Sequence, residues 1–167
     1  MDTKNLDIYG HAPLDWSRAR DALAAGLPPE VPRFLGTVSP DGTPHSAGIG
    51  AVWAEDAMWF VSGPRTRKSG NLATNTACTI SVRAPGIDIV LEGSAERVTD
   101  GGTLERIAAV YREIGWPAHV EGDAFTAPYS APSAGPPPWH LYRLALRTAF
   151  GVATAEPHGA TRWRFDA

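Results

Sequence analysis

From Arg33 onward, residues alternate with a period of two in short runs, and turn-forming clusters separate the runs. Phe34, Gly36 and Val38 alternate with Arg33, Leu35 and Thr37. Ser39-Pro40-Asp41-Gly42 then intervenes, where Pro sets one φ angle and Gly permits a positive one. A period of two belongs to strands, and turns this tight join antiparallel neighbours. The same reading gives further strands at His45–Trp53, Met58–Ser62, Ala77–Arg83, Ile87–Val98, Trp139–Thr148 and Ala160–Phe165, with a bulge expected at Gly93. Consecutive short strands of this kind build a closed or partly closed barrel.

Three segments read as helices. Asp15 to Ala25 carries Trp16, Ala19, Leu23 and Ala24 near one face and is stopped by Gly26 and Pro28–Pro29. Thr66 to Thr74 is short and weakly periodic. The third opens at Asp100-Gly101-Gly102-Thr103 and continues as an apolar stripe of Leu104, Ile107, Ala108, Tyr111 and Ile114. The expected organisation is one domain over residues 1–167, mainly β in an α+β arrangement. Residues 1–30 form an N-terminal helical extension and residues 116–138 a Pro/Gly-rich loop. A loop of that length in a domain is either functional or disordered.

A net charge of −3 provides no global basic field for nucleic acid. No run of about eighteen apolar residues appears, so no membrane span is expected, and Met1–Gly10 lacks the apolar stretch of a signal peptide. The expected location is cytoplasmic. Cys78 is the one cysteine, set in an apolar run, and reads as a buried structural thiol. The histidines at 11, 45, 119, 140 and 158 show no metal-ligand spacing, and no metal is expected.

Chemistry concentrates where a strand becomes a helix, in Trp59-Phe60-Val61-Ser62-Gly63-Pro64-Arg65-Thr66-Arg67-Lys68-Ser69-Gly70-Asn71-Leu72-Ala73-Thr74-Asn75. Cations are unfavourable at a helix N-terminus, where the dipole is already positive. Arg65, Arg67 and Lys68 there suggest an external anion, held by backbone N–H groups, the Thr66 and Ser69 hydroxyls and the guanidinium forks. A solvated basic turn accounts for the same charges equally well. No nucleotide-triphosphatase loop and no dinucleotide-binding glycine fingerprint is present.

This segment resembles the pyridoxamine 5′-phosphate oxidase-like superfamily, the flavin- and deazaflavin-binding split β-barrels. The matching residues are Trp59-Phe60, Ser62, Thr66-Arg67-Lys68, Leu72 and Asn75, with Thr76 in place of the family's proline. The hairpin Gly36–Pro44 and the segment Glu92–Val98, followed by a helix, extend the likeness over about residues 30 to 165. The resemblance implies an antiparallel split β-barrel of Greek-key type with a few peripheral helices. It also implies a homodimer with the cofactor cleft at its interface. Arg67 and Lys68 would hold the cofactor phosphate, with Ser62, Arg65 and Thr66 beside them. The strand around Ser46, Gly48 and Ile49, small on one face, would lie against the ring system. Arg162 and Trp163 would contact ring or phosphate, or else close the barrel as core.

The implied activity is that of a flavin- or deazaflavin-dependent oxidoreductase acting on a small organic substrate. FMN is the leading cofactor and coenzyme F420 the alternative, the latter supported by a lysine-poor composition rich in Ala, Gly, Pro and Arg. The second strand carries Ser46-Ala47-Gly48-Ile49 where the oxidase has an arginine and a lysine. The C-terminal Arg-x-His of the oxidase has no match either, which argues against oxidation of the vitamin. No catalytic acid or base is assigned. Two other classes stand beside this one: a non-catalytic carrier or sensor of flavin, deazaflavin or haem, and a dimeric interaction module with a basic turn. Trp116, bordering the long loop, is the aromatic expected at a cleft wall.

Overall fold

The structure is a computed structural model that describes residues 1–28, 30–129 and 134–165. Eleven strands and three helices follow one another in it. Each helix begins on a side-chain cap. Asp15 accepts from the Ser17 N–H (2.8 Å) ahead of α1 (Trp16–Ala24), Thr66 from the Ser69 N–H (3.3 Å) ahead of α2 (Arg67–Thr74), and Asp100 from the Thr103 N–H (2.8 Å) ahead of α3 (Gly101–Glu113).

The first hairpin forms as its sequence dictates. β2 (Arg33–Val38) and β3 (Pro44–Gly48) pair antiparallel around a turn closed by Ser39 N–H to Thr43 O at 2.9 Å, with Gly42 at φ 84°. β2 also pairs with β6 (Ala77–Ala84), which pairs with β7 (Ile87–Val98). The strand that joins the halves of the fold is β10 (His140–Ala153). One edge of β10 follows β7 from Leu141 opposite Val98 to Ala153 opposite Ile87. Its other edge is shared: His140–Arg143 pairs with β5 (Ala57–Ser62), and Thr148–Val152 with β11 (Ala160–Arg164). The sheet forks there and does not close, which makes the fold a split β-barrel.

β5 is buried along its whole length because it separates two cores. Met58 and Phe60 join Leu35, Ile80, Leu91 and Trp163 on one side. Ala57, Trp59 and Val61 join Leu104, Ile107, Phe125, Trp139 and Leu141 on the other, under α3. Burying each large apolar side chain of this kind contributes about 1.5–3 kcal/mol.

Four expectations are corrected. The strand expected over His45–Trp53 is broken into β3 and β4 (Ala51–Ala54). Gly48 and Gly50 flank the break, and the Tyr111 hydroxyl, donating to Gly50 O at 3.0 Å, holds the crossing from the sheet to the β4–β5 hairpin. Residues 116–138 contain a small hairpin, β8 (His119–Glu121) with β9 (Ala124–Thr126), made possible by Gly122 at φ 62°. Part of that expected loop, residues 130–133, lies outside the described residues. The polar N-terminus forms β1 (Asp2–Asn5) against β11, because β11 offers a free sheet edge. The irregularity near Gly93 lies on the facing strand, between Leu146 and Thr148, where Arg147 is the extra residue. Gly93 is needed for a different reason: a Cβ there would stand 2.1 Å from the Ala145 carbonyl oxygen.

Candidate functional site

The strand-to-helix segment places its polar groups by burial and capping. β5 ends at Ser62, which is fully buried. Its Oγ lies 2.9 Å from Thr66 Oγ1 and accepts from Ser69 Oγ at 2.7 Å, so three hydroxyls meet at the base of α2. Lys68 lies on the inner side of this first turn and is only 3% exposed, and burial holds its ammonium below the ordinary lysine range. Arg67 is exposed and reaches the other way, donating to Ser39 Oγ at 3.0 Å in the β2–β3 turn. One turn along α2, the buried Asn71 amide donates to the buried Thr37 hydroxyl at 2.9 Å. These two bonds fasten the helix to the hairpin tip.

A cleft of 780 Å³ opens on the outer face of the sheet, over β2, β3, β6, β7 and β10. Gly36, Val38, His45 and Ser46 form one wall, and Cys78 lies in its floor. Arg67 and Lys68 are not in this cleft. They adjoin it, since Val38 lines it and the next residue, Ser39, receives Arg67. Phe34, also lining it, remains 46% exposed.

The expected site residues fall into two groups. Ser62, Thr66, Arg67 and Lys68 come together at the start of α2, and Ser46 lies on the adjoining cleft wall. Gly48 is exposed at the end of β3, and Ile49 turns inward into the core. Arg65 is exposed and faces the proline run instead, lining a 170 Å³ recess with Gly135, Pro136, Pro137 and Pro138. Arg162 lies on β11 and directs its guanidinium to Asp2 at 2.8 Å. Trp163 is fully buried, with Nε1 donating to Leu14 O at 3.2 Å and its ring against Gly151, the core position that its alternative reading allowed. Trp116 packs on Tyr111, Phe125 and Trp139 beneath the β8–β9 hairpin and forms no wall of the cleft. Ser39 and Asn71 had no signal in the sequence. Among the described residues no group of three or more His, Cys, Asp or Glu side chains is placed to hold a metal ion, and no helix is long and apolar enough to cross a membrane.

Another recess, of 300 Å³, borders the same helix; its lining is mostly apolar, with Leu72, Ala73 and Ala95, and includes Ser69, Arg97, His140 and Tyr142. His140 faces Ser62 across the β5–β10 pair, and burial, followed by the nearby Arg97 charge, lowers its pKa.

The family profile for pyridoxamine 5′-phosphate oxidase matches residues 19–153. The chain belongs to this family. No curated protein sequence matches it. Among solved structures it is similar to general stress protein 26 from Bacillus anthracis (TM-score 0.56, 14% identity, 89% of this chain and 99% of that one). It is also similar to an F420 reductase (TM-score 0.55, 18% identity, 83% and 98%). A heme binding protein from Mycobacterium smegmatis has a TM-score of 0.58 at 17% identity, covering 88% of this chain and 58% of that one. At these identities the structures share the family fold, and the site rests on this chain's own residues.

Proposed function

We propose that this family member is an oxidoreductase using FMN, with coenzyme F420 as the alternative, that acts on a small organic substrate in the cytoplasm. The observation that carries the reading is the first turn of α2. It joins a buried lysine, an arginine tied to the neighbouring hairpin and a cluster of buried hydroxyls in a chain of this family. That donor set fits a phosphate. The guanidinium offers a planar fork, the ammonium a point charge and the hydroxyls further donors. The bound cofactor would supply hydride or electron-pair transfer, and the protein its position and electrostatics.

Each residue has a defined part. Arg67 and Lys68 would neutralise the phosphate, and Ser62, Thr66 and Ser69 would orient it. Asn71 and Ser39 act indirectly, by fixing the helix to the hairpin. The adjoining cleft is wide and open on one side, and Phe34 is exposed within it. Both features support a homodimer whose second copy covers that face and completes the cofactor site.

Side-by-side titration of FMN and F420 tests the reading. Saturable binding of one of them is expected, with Arg67→Ala/Lys68→Ala weakening it by at least about tenfold. Equal binding by that variant removes the phosphate assignment. Failure of both cofactors to bind removes the function. The heme binding structure favours a second reading, a non-catalytic carrier in the same fold. Substrate-independent retention of haem, without absorbance near about 450 nm from oxidised flavin, would select it.

A further inference from the structure

A further cleft lies away from α2 and the open sheet face, between α1, the β4–β5 turn, β10 and the C-terminal end of β11. Its volume is 360 Å³, within the range of small-molecule sites. Three half-buried rings form its wall, with Trp16 set edge-on to Trp53 (centroids 6.4 Å apart) and to Phe165 (4.9 Å). Arg20 and Arg143 line it too, from α1 and from β10. Their existing partners hold them weakly. Arg20 pairs with its chain neighbour Asp21, and Arg143 stands 3.6 Å from Glu96, both with side chains nearly half exposed. Exposed pairs of this kind contribute about 0–1 kcal/mol, so either guanidinium can turn to a better anion.

The last lining charge is Asp56, and its backbone is unusual. Glu55 and Asp56 both have positive φ (50° and 51°) in a two-residue hairpin turn, where Asn-Gly or Gly-Gly would be unstrained. The turn thereby places a carboxylate at the cleft at a conformational cost. Two cations and one anion around aromatic walls select by charge as well as shape. A flat ring gains stacking and cation–π contact. One negative group on it meets the guanidiniums, and the Asp56 carboxylate offsets one of their two charges, so the lining carries a net charge that a monoanion balances.

We propose that this cleft is a binding site for a small planar aromatic monoanion, separate from the cofactor site. The inference does not rest on the flavin reading. The test follows the indole N–H signals of ¹⁵N-labelled protein, assigned with Trp16→Phe and Trp53→Phe, during titration with 2-naphthoate, neutral 2-naphthamide and naphthalene-2,6-dicarboxylate. Naphthoate is expected to shift the Trp16 and Trp53 signals saturably and to bind at least tenfold more tightly than the amide or the dianion. Arg20→Gln/Arg143→Gln should remove that preference while the other indole signals stay in place, which shows the variant folded. Arg67→Ala/Lys68→Ala should leave naphthoate affinity unchanged. Equal affinity for naphthoate and the amide overturns the proposal. So do shifts confined to other indoles, or a loss of affinity in the Arg67/Lys68 variant instead of the Arg20/Arg143 variant.

Discussion

Lys68 shows how one buried charge links folding to binding. Burial lowers its pKa in the folded protein, so between that lowered value and the ordinary value of about 10.4 the unfolded chain binds more protons. Stability from this residue therefore rises with pH across the window. A bound phosphate favours the charged ammonium and reverses the preference. FMN affinity, on the proposed reading, is expected to fall as pH climbs through the lowered value, and Lys68→Gln to flatten the profile, both read by fluorescence titration. Asn71 is the complementary neutral case. Asn71→Ala strips the donor from the buried Thr37 hydroxyl and should cost about 1–3 kcal/mol in urea denaturation. Cys78 is pushed up to about 11 by burial. Its alkylation by iodoacetamide near neutrality is expected to run on the order of a hundredfold slower than that of a free thiol. The cations at the helix start could be read in the sequence because charge at a helix N-terminus is locally anomalous. Ser39 and Asn71 could not, since their partners stand 28 and 34 positions away.

At the scale of elements, strand pattern and turn chemistry were legible wherever the signal was local. The β2–β3 hairpin and all three capped helices stand where Pro, Gly and the capping residues put them. The misreadings come from tertiary effects. Continuous alternation hid the break between β3 and β4, because Tyr111, more than sixty positions later, holds the Gly50 carbonyl. β1 has no apolar alternation and exists because β11 has an edge to pair. Trp163 sits in a strand whose alternation is equally compatible with core or cleft, and Gly151 decides between them by leaving room for the indole. A Cβ at Gly151 would stand 2.6 Å from that ring, so Gly151→Ala is expected to destabilise the β10–β11 end by about 1–3 kcal/mol, measured by thermal unfolding.

For the whole molecule, the split barrel and its family followed from the order of strands and one motif, and the proposed homodimer draws on the same resemblance. The open face over β2, β3 and β6 is where the proposed second copy would dock. On the proposed dimer, Phe34→Glu on that face is expected to give monomer where the parent protein sediments as dimer, and to weaken cofactor binding with it, while α2 remains unaltered. The shared strand β10 has a further consequence, for the order of events during synthesis. β5 emerges early, yet its partner residues His140–Arg143 follow roughly 80 residues later, about ten seconds at ordinary elongation rates. Until then the β4–β5 hairpin exposes apolar side chains on both faces, with Trp59 and Phe60 uncovered. The nascent chain thus passes through an interval in which its stickiest strand has only β4 beside it, and that interval is when a chaperone would have most to do.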